Sequence, residues 1–525
     1  MPPSWARAVI TWWVPLVITS CLIGGLLASP AAAHSLELVP SDSPIYTDLS
    51  RLASQGWIPL WSASMRPLTR LEIARMVARA LDRVDANRPQ RPARAELDTL
   101  ERLVLEFAQE LPLAGYRVVE PPQGPSAQAI TGWGFRVQRV FVGRVERGTA
   151  PWFETPTPTG STLRLETSAT LGLGPGLAVS ARVQQPFIPQ LTFTYIDRVS
   201  ASVGVYGELG TEVANSQIGT MTHWWGPGGQ GAFLLSDNAG APETIRVTTE
   251  GPRVRLVKLL APLSVANQRY LYAMRADWLA TDNLRLGFGE AMVASGDVYL
   301  PYVLAPIPLL NYAVGLWFRQ QQQGLPDSYN AAMDFDWRIG EGTVVYGEVY
   351  ADKISSGSSP FPSTGAAAAG LFIANVLTAS QVDLRLEHSR ATNWIYATPP
   401  PGTNNYTRLG KSMGHWCAPD CELWSGELGY RLNQQTAMRF GYDLVKKGAG
   451  VLGQFYVSPT DAWTNLYLSG VVETTQAWHF RLLLTPDGPF RNELGVTWST
   501  VSNAGHVSGA TQQNWYGWWE ARIEW

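Results

Sequence analysis

The feature that most constrains the fold is the last stretch of the chain, residues 515–525, which reads WYGWWEARIEW. Apolar and charged residues alternate along it. One face carries Trp519, Ala521, Ile523 and Trp525, and the other carries Glu520, Arg522 and Glu524. A period of two indicates a β-strand with one apolar and one charged face. The pattern therefore predicts a terminal amphipathic strand, either in a membrane barrel or at the edge of a soluble sheet.

This strand resembles the last strand of bacterial outer-membrane β-barrels, which ends on an aromatic residue. The resemblance implies the barrel-assembly machinery as a partner through the strand that ends at Trp525. Composition agrees: 45% of residues are hydrophobic and 16% are charged, while a mean hydropathy of −0.06 indicates dispersed apolar residues. The 22 tryptophans and 19 tyrosines suit the aromatic belts of membrane interfaces. A net charge of −3 argues against a nucleic-acid partner.

Residues 1–33 have the pattern of a secretory signal peptide. Arg7 gives a positive start, residues 12–28 form an apolar run, and Ala31-Ala32-Ala33 offers a cleavage site. No other apolar run is long enough to span a bilayer as a helix. A mature protein in the membrane would therefore be a closed barrel, because lipid offers no partner to open sheet edges.

Two cysteines remain after removal of the signal, Cys417 and Cys421 in the sequence CAPDC. In an exported protein, this spacing predicts a short disulfide loop. His415 is near, but nothing completes a set of ligands, so we expect no metal site. So small a ring would mainly stiffen a loop.

Residues 34–115 are expected to form a small helical bundle. Ser43 is a candidate N-cap with Pro44 at the first helical position, and Gly56 is placed to end this helix. Thr69 and Glu72 match a capping box for a second helix. The apolar faces of the second and third helices are predicted to be Ile73, Met76, Val77, Ala80 and Leu81, and Leu97, Leu100, Val104, Phe107 and Leu111.

The same region also resembles an S-layer-homology module. The resemblance lies in residues 46–48, 56–58 and 66–72. Such modules bind cell-wall polymers, so the resemblance implies a cell-wall polymer as a partner. A plain capped bundle is the alternative.

Residues 131–525 predict a transmembrane antiparallel β-barrel, after a linker at residues 116–130. Segments of roughly eight to eleven residues alternate apolar and charged positions, as in residues 382–387, VDLRLE. Such strands can cross a bilayer with apolar side chains in lipid and charged side chains, such as Asp334 and Asp336, in the lumen. We expect about 16 to 20 strands, and loops long enough to fold inward. The protein is thus expected to be mainly β.

The densest segment is residues 222–242, THWWGPGGQGAFLLSDNAGAP. Gly226, Gly228 and Gly231 match the spacing of a dinucleotide-binding loop, but that fingerprint requires a helix after the glycines. Residues 232–238 predict a short strand and a turn instead. We therefore expect no nucleotide site and no cofactor.

This segment resembles the core motif of the capsule-assembly Wzi family. The resemblance is carried by WGPG at residues 225–228, by LSDNA at residues 235–239 and by Pro242, although the family often has asparagine where this chain has Asp237. It implies an outer-membrane barrel of about 18 strands with a periplasmic N-terminal bundle. It also implies retention of exported capsular polysaccharide, with outer-membrane lipid and surface polysaccharide as partners.

Two roles are open for this motif. In one, it contacts sugar: Trp224 and Trp225 stack on sugar rings, while hydroxyl groups bond to His223, Ser236, Asp237 and Asn238. In the other, it is a structural plug inside the barrel. The residues that would shape its backbone are Gly226, Pro227, Gly228, Gly231 and Pro242.

The sequence therefore predicts a non-enzymatic outer-membrane protein that binds or retains surface polysaccharide through many weak contacts. The alternative is a porin or solute channel tethered to the cell wall. A hydrolase is disfavoured, because the six histidines are scattered and the chain has no H-E-x-x-H.

Overall fold

The structure is a computed structural model. It describes residues 36–41, 43–60, 64–85, 92, 94–116, 133–148, 161–173, 177–187, 200–208, 214–304, 327–353, 360–376, 381–398, 404–433, 435–484 and 490–524. The expected signal peptide, nearly all of the expected linker and Trp525 lie outside these residues.

Five helices are found among the described residues: α1 Ile45–Gln55, α2 Arg70–Asp85, α3 Arg94–Glu106, α4 Leu300–Leu304 and α5 Pro459–Thr464. None of the described helices has the length and apolar character needed to cross a bilayer.

The strands are β1 Leu38–Val39, β2 Met65–Arg66, β3 Leu68–Thr69, β4 Trp133–Gly148, β5 Ser161–Leu173, β6 Leu177–Phe187, β7 Ser200–Glu208, β8 Ala214–Thr220, β9 Trp224–Trp225, β10 Glu243–Glu250, β11 Val254–Ser264, β12 Arg269–Thr281, β13 Leu284–Ser295, β14 Ser328–Gly340, β15 Thr343–Lys353, β16 Thr364–Ile373, β17 Val382–Ala391, β18 Thr407–Arg408, β19 Lys411–Ser412, β20 Cys421–Asn433, β21 Thr436–Lys447, β22 Glu473–Leu484, β23 Phe490–Ser502 and β24 Thr511–Glu524.

Eighteen of these strands close into one barrel: β4 to β8, β10 to β17 and β20 to β24. Sequence neighbours pair antiparallel, and β24 pairs with β4 to complete the ring, with Ile523 opposite Phe141. The prediction of a mainly β protein is confirmed. Closure leaves no unpaired edge in the ring, which is the condition for placing strands in lipid.

The barrel is inverted relative to a water-soluble protein, because its buried face is the charged one. On β14, Asp334 and Asp336 are 4% and 5% exposed, whereas Met333 and Trp337 are 65% and 51% exposed. The same alternation on β17 buries Asp383 and Glu387, at 6% and 4% exposed, and leaves Leu386 45% exposed. A soluble sandwich would bury the apolar face instead, so this pattern matches a barrel with an apolar surround and a polar lumen.

The two ends of the barrel differ. At the bundle end, strands join through short turns, such as residues 282–283 and 341–342, and helices α1 to α3 pack there. At the opposite, loop end lie the long connections of residues 296–327, 392–420 and 448–472. The lumen therefore has one end covered by helices and one end built from loops.

The helices begin and end at the predicted capping residues, except that the N-cap of α1 is shifted by one residue. Thr69 and Glu72 form the capping box, with Thr69 N donating to Glu72 Oε2 at 2.6 Å and Glu72 N donating to Thr69 Oγ1 at 3.1 Å. Gly56 ends α1 in the left-handed region, as predicted. The N-cap of α1, however, is Pro44 rather than Ser43, because the helix begins at Ile45.

The prediction that Leu97 lies on the buried face of α3 is wrong. Leu97 is 46% exposed, whereas Leu103 is 1% exposed and occupies the core with Leu100 and Phe107. The buried face of α3 begins at Glu96, whose Oε2 accepts a hydrogen bond from Trp57 Nε1 at 3.1 Å. Glu96, Leu100, Leu103 and Phe107 thus share the buried face of α3, and Leu97 lies outside it.

Buried ion pairs join the bundle to the barrel wall. Arg255 of β11 contacts Glu72 of α2 at 2.6 Å, and the two side chains are 0% and 3% exposed. Arg51 of α1 contacts Asp383 of β17 at 2.5 Å. Because these pairs lie on different strands, the bundle is held at separate points around the rim.

Candidate functional site

The motif segment, residues 221–242, leaves the wall after β8 at the loop end and returns to it at β10. We call it the lumenal segment. Its strand β9 pairs with β2 of the N-terminal region, with Met65 opposite Trp225, and Trp225 also bridges to Leu235. Gly226 N donates to Ser64 O at 3.0 Å. The segment therefore reaches through the lumen to the bundle end of the barrel.

Two carboxylates of the wall hold the backbone of the lumenal segment. Glu348 of β15 accepts the N–H groups of Phe233 at 2.9 Å and Leu234 at 3.2 Å. Glu387 of β17 accepts the N–H group of Gly229 at 2.7 Å. A buried carboxylate that accepts several backbone N–H groups is stabilised in a site where it would otherwise be costly.

The connection between β17 and β20, residues 392–420, packs on the loop-end side of the lumenal segment. We call it the outer loop. Its tyrosines Tyr396 and Tyr406 donate to the carbonyls of Phe233 at 2.7 Å and Leu234 at 2.6 Å. Loops folded inward were expected from the sequence, and here the fold of one loop depends on the lumenal segment beneath it.

A disulfide joins Cys417 and Cys421 at the end of the outer loop. His415, two residues before it, stacks on Phe233 with ring centroids 4.8 Å apart, and its Nδ1 accepts the N–H of Cys417 at 3.2 Å. Burial lowers the pKa of His415 to about 3. The imidazole is therefore neutral at ordinary pH and serves as a packed ring.

The polar residues of the motif bond to protein. His223 Nε2 lies 3.1 Å from Thr244 Oγ1, and burial beside Arg246 lowers the pKa of His223 to about 3. Ser236 donates to Gly414 O at 2.6 Å, and Asn238 Nδ2 donates to Ser412 O at 3.1 Å. Asp237 begins a short 3-10 turn that extends to Ala239.

The tryptophans of the motif are enclosed. Trp225 is 0% exposed and Trp224 is 8% exposed. Arg66 lies over the Trp224 ring at 5.3 Å from its centroid. This placement matches the plug role, and direct stacking of these rings on sugar stays a prediction that would require the segment to leave the lumen.

Three positions of the plug require glycine because a Cβ atom would not fit there. A Cβ on Gly228 would overlap the carbonyl oxygen of Gly231, and a Cβ on Gly231 would lie 2.7 Å from His415 Cδ2. A Cβ on Gly226 would lie 2.9 Å from Ala232 Cβ. Pro227 and Pro242 lie buried within the same segment. The motif glycines therefore permit close backbone approach, with no ligand needed to explain them.

Charged residues of the lumenal wall form a closed network. Asp334 accepts from Arg275 at 2.8 Å and contacts Arg285 at 2.5 Å, and Arg285 also reaches Asp336 at 2.5 Å. Asp277 completes the network through both arginines. These groups satisfy one another, so Asp334 and Asp336 are lumenal charges, as the sequence suggested. No group of three or more possible metal ligands occurs among the described residues.

Sequence reasoning missed an aromatic cluster at the loop end, formed by Phe361, Trp394, Phe455, Tyr456 and Trp463. Tyr456 stacks on Phe361 with centroids 4.7 Å apart and meets Trp394 edge-on at 6.1 Å. Trp463 is 58% exposed, and its Nε1 donates to Pro360 O at 2.9 Å. The cluster comes from three separate loops, so no local pattern could have revealed it.

Comparison with known families gives one extended match. The family described as capsule assembly protein Wzi matches residues 153–515, which is more than half of the chain. No curated protein matches.

Among solved structures, the barrel is similar to Wzi of Escherichia coli, described as an outer membrane protein involved in group 1 capsule assembly and as a carbohydrate binding β-barrel. That similarity has a TM-score of 0.64 and 16% identity, and it covers 93% of this chain and 99% of that one. OprD of Pseudomonas aeruginosa is similar at a TM-score of 0.43 and 8% identity, over 75% of this chain and 96% of that one.

The family match covers the lumenal segment, the outer loop and most of the barrel. The chain therefore belongs to the capsule assembly protein Wzi family and is an outer-membrane β-barrel protein.

Proposed function

We propose that this protein binds or retains exported surface polysaccharide at the cell surface and is not an enzyme. The observation that carries the proposal is the aromatic cluster at the loop end, which collects five rings from three loops on a barrel that contains the lumenal segment. The description of the Escherichia coli relative as carbohydrate binding supports the same function.

Aromatic rings with polar neighbours suit sugars, because the apolar face of a sugar ring lies flat on an aromatic face while its hydroxyls bond at the edge. Lys353 lies 5.4 Å from the Phe455 ring centroid and donates to Trp394 O at 3.0 Å. Trp463 presents its ring to solvent. Each contact is weak, and a repeating polymer that meets several copies of its unit on one surface is retained by their combination.

The lumenal segment argues against the alternative of a solute channel, because it occupies part of the lumen. Phe233 and Leu234 are fully buried between Glu348 on the wall and the tyrosines of the outer loop. The bundle covers the other end. Solute would have to displace these hydrogen-bonded segments in order to pass through this side of the lumen.

The remaining assignments are part of the same proposal. Residues 1–33 are a signal peptide, residues 34–115 a periplasmic bundle, 116–130 a linker and 131–525 a barrel that crosses the outer membrane. The terminal strand directs assembly of the barrel, and the bundle contacts cell-wall polymer. His223, Ser236, Asp237 and Asn238 would meet sugar only if the lumenal segment moves outward.

Retention of polysaccharide on cells tests the proposal. Cells that carry the double variant Trp463→Ala/Tyr456→Ala are expected to release more polysaccharide into the medium than wild-type cells. Trp498→Ala is the matched control, because this tryptophan is similarly exposed, at 51%, but lies on the wall in β23. Equal retention by the double variant and the wild type would remove the aromatic cluster as the binding surface.

Conductance in planar bilayers separates the two candidate functions. The purified wild-type protein is expected to show no steady pore, while deletion of residues 222–241 should open one. A steady pore in the wild type would favour the channel.

A further inference from the structure

A polar cavity of about 190 Å³ lies inside the barrel, beside the lumenal segment. Its wall comes from β20, β21 and β22, while Gln230 of the lumenal segment and Trp416 of the outer loop line its other side. Neither the plug nor the aromatic cluster uses this cavity. Arg481 is exposed toward it, so the cavity is open to solvent.

Two arginines face each other in this cavity. Arg439 of β21 is the direct cross-strand partner of Arg481 of β22, and both line the cavity. Like charges that lie directly opposite in an antiparallel pair repel each other. An anion placed between the two guanidinium groups would offset that repulsion and accept several charge-assisted hydrogen bonds.

Within the described residues, the nearby acidic groups leave Arg481 with unused donors. Glu427 contacts Arg439 at 3.7 Å, and Arg439 also donates to Thr47 of the bundle at 3.1 Å. Glu493 of β23 is a charged neighbour of Arg481. Arg481 forms no ion pair or hydrogen bond with any residue in the part of the chain that the structure describes.

The other acid of the cavity is engaged by a histidine. Asp443 Oδ2 lies 2.9 Å from His479 Nε2, and His479 Nδ1 lies 3.0 Å from Thr497 Oγ1. This chain of contacts fixes the imidazole and engages the Asp443 carboxylate. The cavity therefore has two guanidinium groups, from Arg439 and Arg481, and a separate contact between a histidine and a carboxylate.

The opposite side of the cavity suits a sugar ring. Trp416 is half-buried beside His415, with ring centroids 5.6 Å apart, and lies next to the disulfide cysteine Cys417. Gln230 Nε2 donates to Ser425 Oγ at 2.8 Å, which leaves its amide oxygen as an acceptor for the cavity. A ring face, an amide and a pair of guanidinium groups thus surround one polar space.

We propose that this cavity binds a sugar residue that carries a carboxylate, with the carboxylate between Arg439 and Arg481 and the ring beside Trp416. The inference rests on the proposed polysaccharide function and names an acidic sugar as part of the polymer. It adds a lumenal site that is separate from the aromatic cluster.

Titration calorimetry of the full-length protein in detergent tests this site, with glucuronic acid, glucose and inorganic phosphate as ligands. Glucuronic acid is expected to bind at least about tenfold more tightly than glucose, because a charged hydrogen bond is lost with glucose. Arg481→Gln should abolish this difference, and Arg481→Lys should keep part of it. Trp416→Ala should weaken binding of glucuronic acid while leaving phosphate binding unchanged.

Arg491→Gln is the matched control. Arg491 and Arg522 form a second cross-strand arginine pair, on β23 and β24, that does not line the cavity. The Arg491→Gln variant should bind glucuronic acid as tightly as the wild type. If Arg491→Gln and Arg481→Gln lose the same amount of affinity for glucuronic acid, the proposal is overturned. Equal affinity for glucose and glucuronic acid, or phosphate binding as tight as glucuronic acid, would overturn it as well.

The polysaccharide function is tested separately by retention on cells. Wild-type protein that retains polymer but does not bind glucuronic acid would overturn the lumenal site alone. Binding of glucuronic acid without polymer retention would support the site and remove the surface function.

Discussion

Glu348 of the barrel wall accepts the backbone N–H of Phe233 at 2.9 Å, although 115 residues separate the two in the chain. The same carboxylate accepts from Leu234. The position of the lumenal segment therefore depends on a carboxylate of the wall as well as on its own glycines. The outer loop rests in turn on the carbonyls of these two residues.

Glu348→Ala should loosen the plug. The change leaves two buried N–H groups without their acceptor, each at a cost of about 1–3 kcal/mol. We expect bursts of conductance in planar bilayers that the wild type lacks. Glu348→Gln keeps an oxygen acceptor and should remain closed, whereas a silent Glu348→Ala barrel would contradict the role of this carboxylate.

Gly414→Ala should separate the outer loop from the plug. A Cβ at this position would overlap the carbonyl oxygen of Phe233 and the hydroxyl of Tyr396. Overpacking of this kind costs about 1–3 kcal/mol. We expect faster proteolysis within residues 404–420. Gly429→Ala is the control, because no described atom lies within 4 Å of its added Cβ, and equal protease resistance in both variants would refute the clash.

Arg255→Ala should release the helical bundle from the barrel. It leaves the carboxylate of Glu72 buried without its partner, and breaking a buried pair costs about 3–5 kcal/mol. Limited proteolysis should then cleave residues 36–116 while the barrel stays intact.

Two further variants test whether burial explains the effect of Arg255→Ala. The double variant Arg255→Met/Glu72→Gln removes both charges and should recover much of the loss. Arg79→Ala breaks an ion pair of 3.7 Å in which Arg79 is 50% exposed, so it should have little effect. Similar cleavage in Arg79→Ala and Arg255→Ala would show that burial does not decide the strength of these pairs.

Acid should weaken the packing between the lumenal segment and the outer loop, because a buried histidine lies in each: His223 and His415. The pKa of His415 is lowered to about 3 by burial, whereas an unfolded histidine has a pKa of about 6.5. The unfolded state therefore binds more protons, so the stabilisation is complete above pH 6.5 and is lost as pH falls toward 3. The loss reaches about 2 kcal/mol per histidine at pH 5.

Urea unfolding in detergent at pH 7.5 and pH 5 measures this effect. His415→Asn should reduce the difference between the two pH values. An unchanged difference in His415→Asn would contradict the assignment.

Several local features were predictable from the sequence because they depend on neighbours in the chain. The alternation in β17 and β24 indicates two-faced strands, and the Thr69–Glu72 capping box spans only three residues. The error at Leu97 arose where tertiary contacts decided the outcome: Glu96 is buried by its bond from Trp57, and Leu103 occupies the core instead of Leu97.

The site was less predictable than the fold. The motif WGPG indicated a glycine-rich bend, and the sequence favoured the plug role while leaving sugar contact open. The structure encloses Trp225 and exposes Trp463 instead, because the former pairs with Met65 inside the barrel and the latter lies on a loop-end helix.

The sequence by itself determined that the strands have one apolar and one charged face, because apolar and charged residues alternate along each strand. Only the tertiary structure decided what the charged face meets: Glu348 meets Phe233, Arg255 meets Glu72 and Arg439 meets Arg481. These pairs form when the barrel closes and brings distant strands around one lumen, and no local period in the chain encodes such contacts.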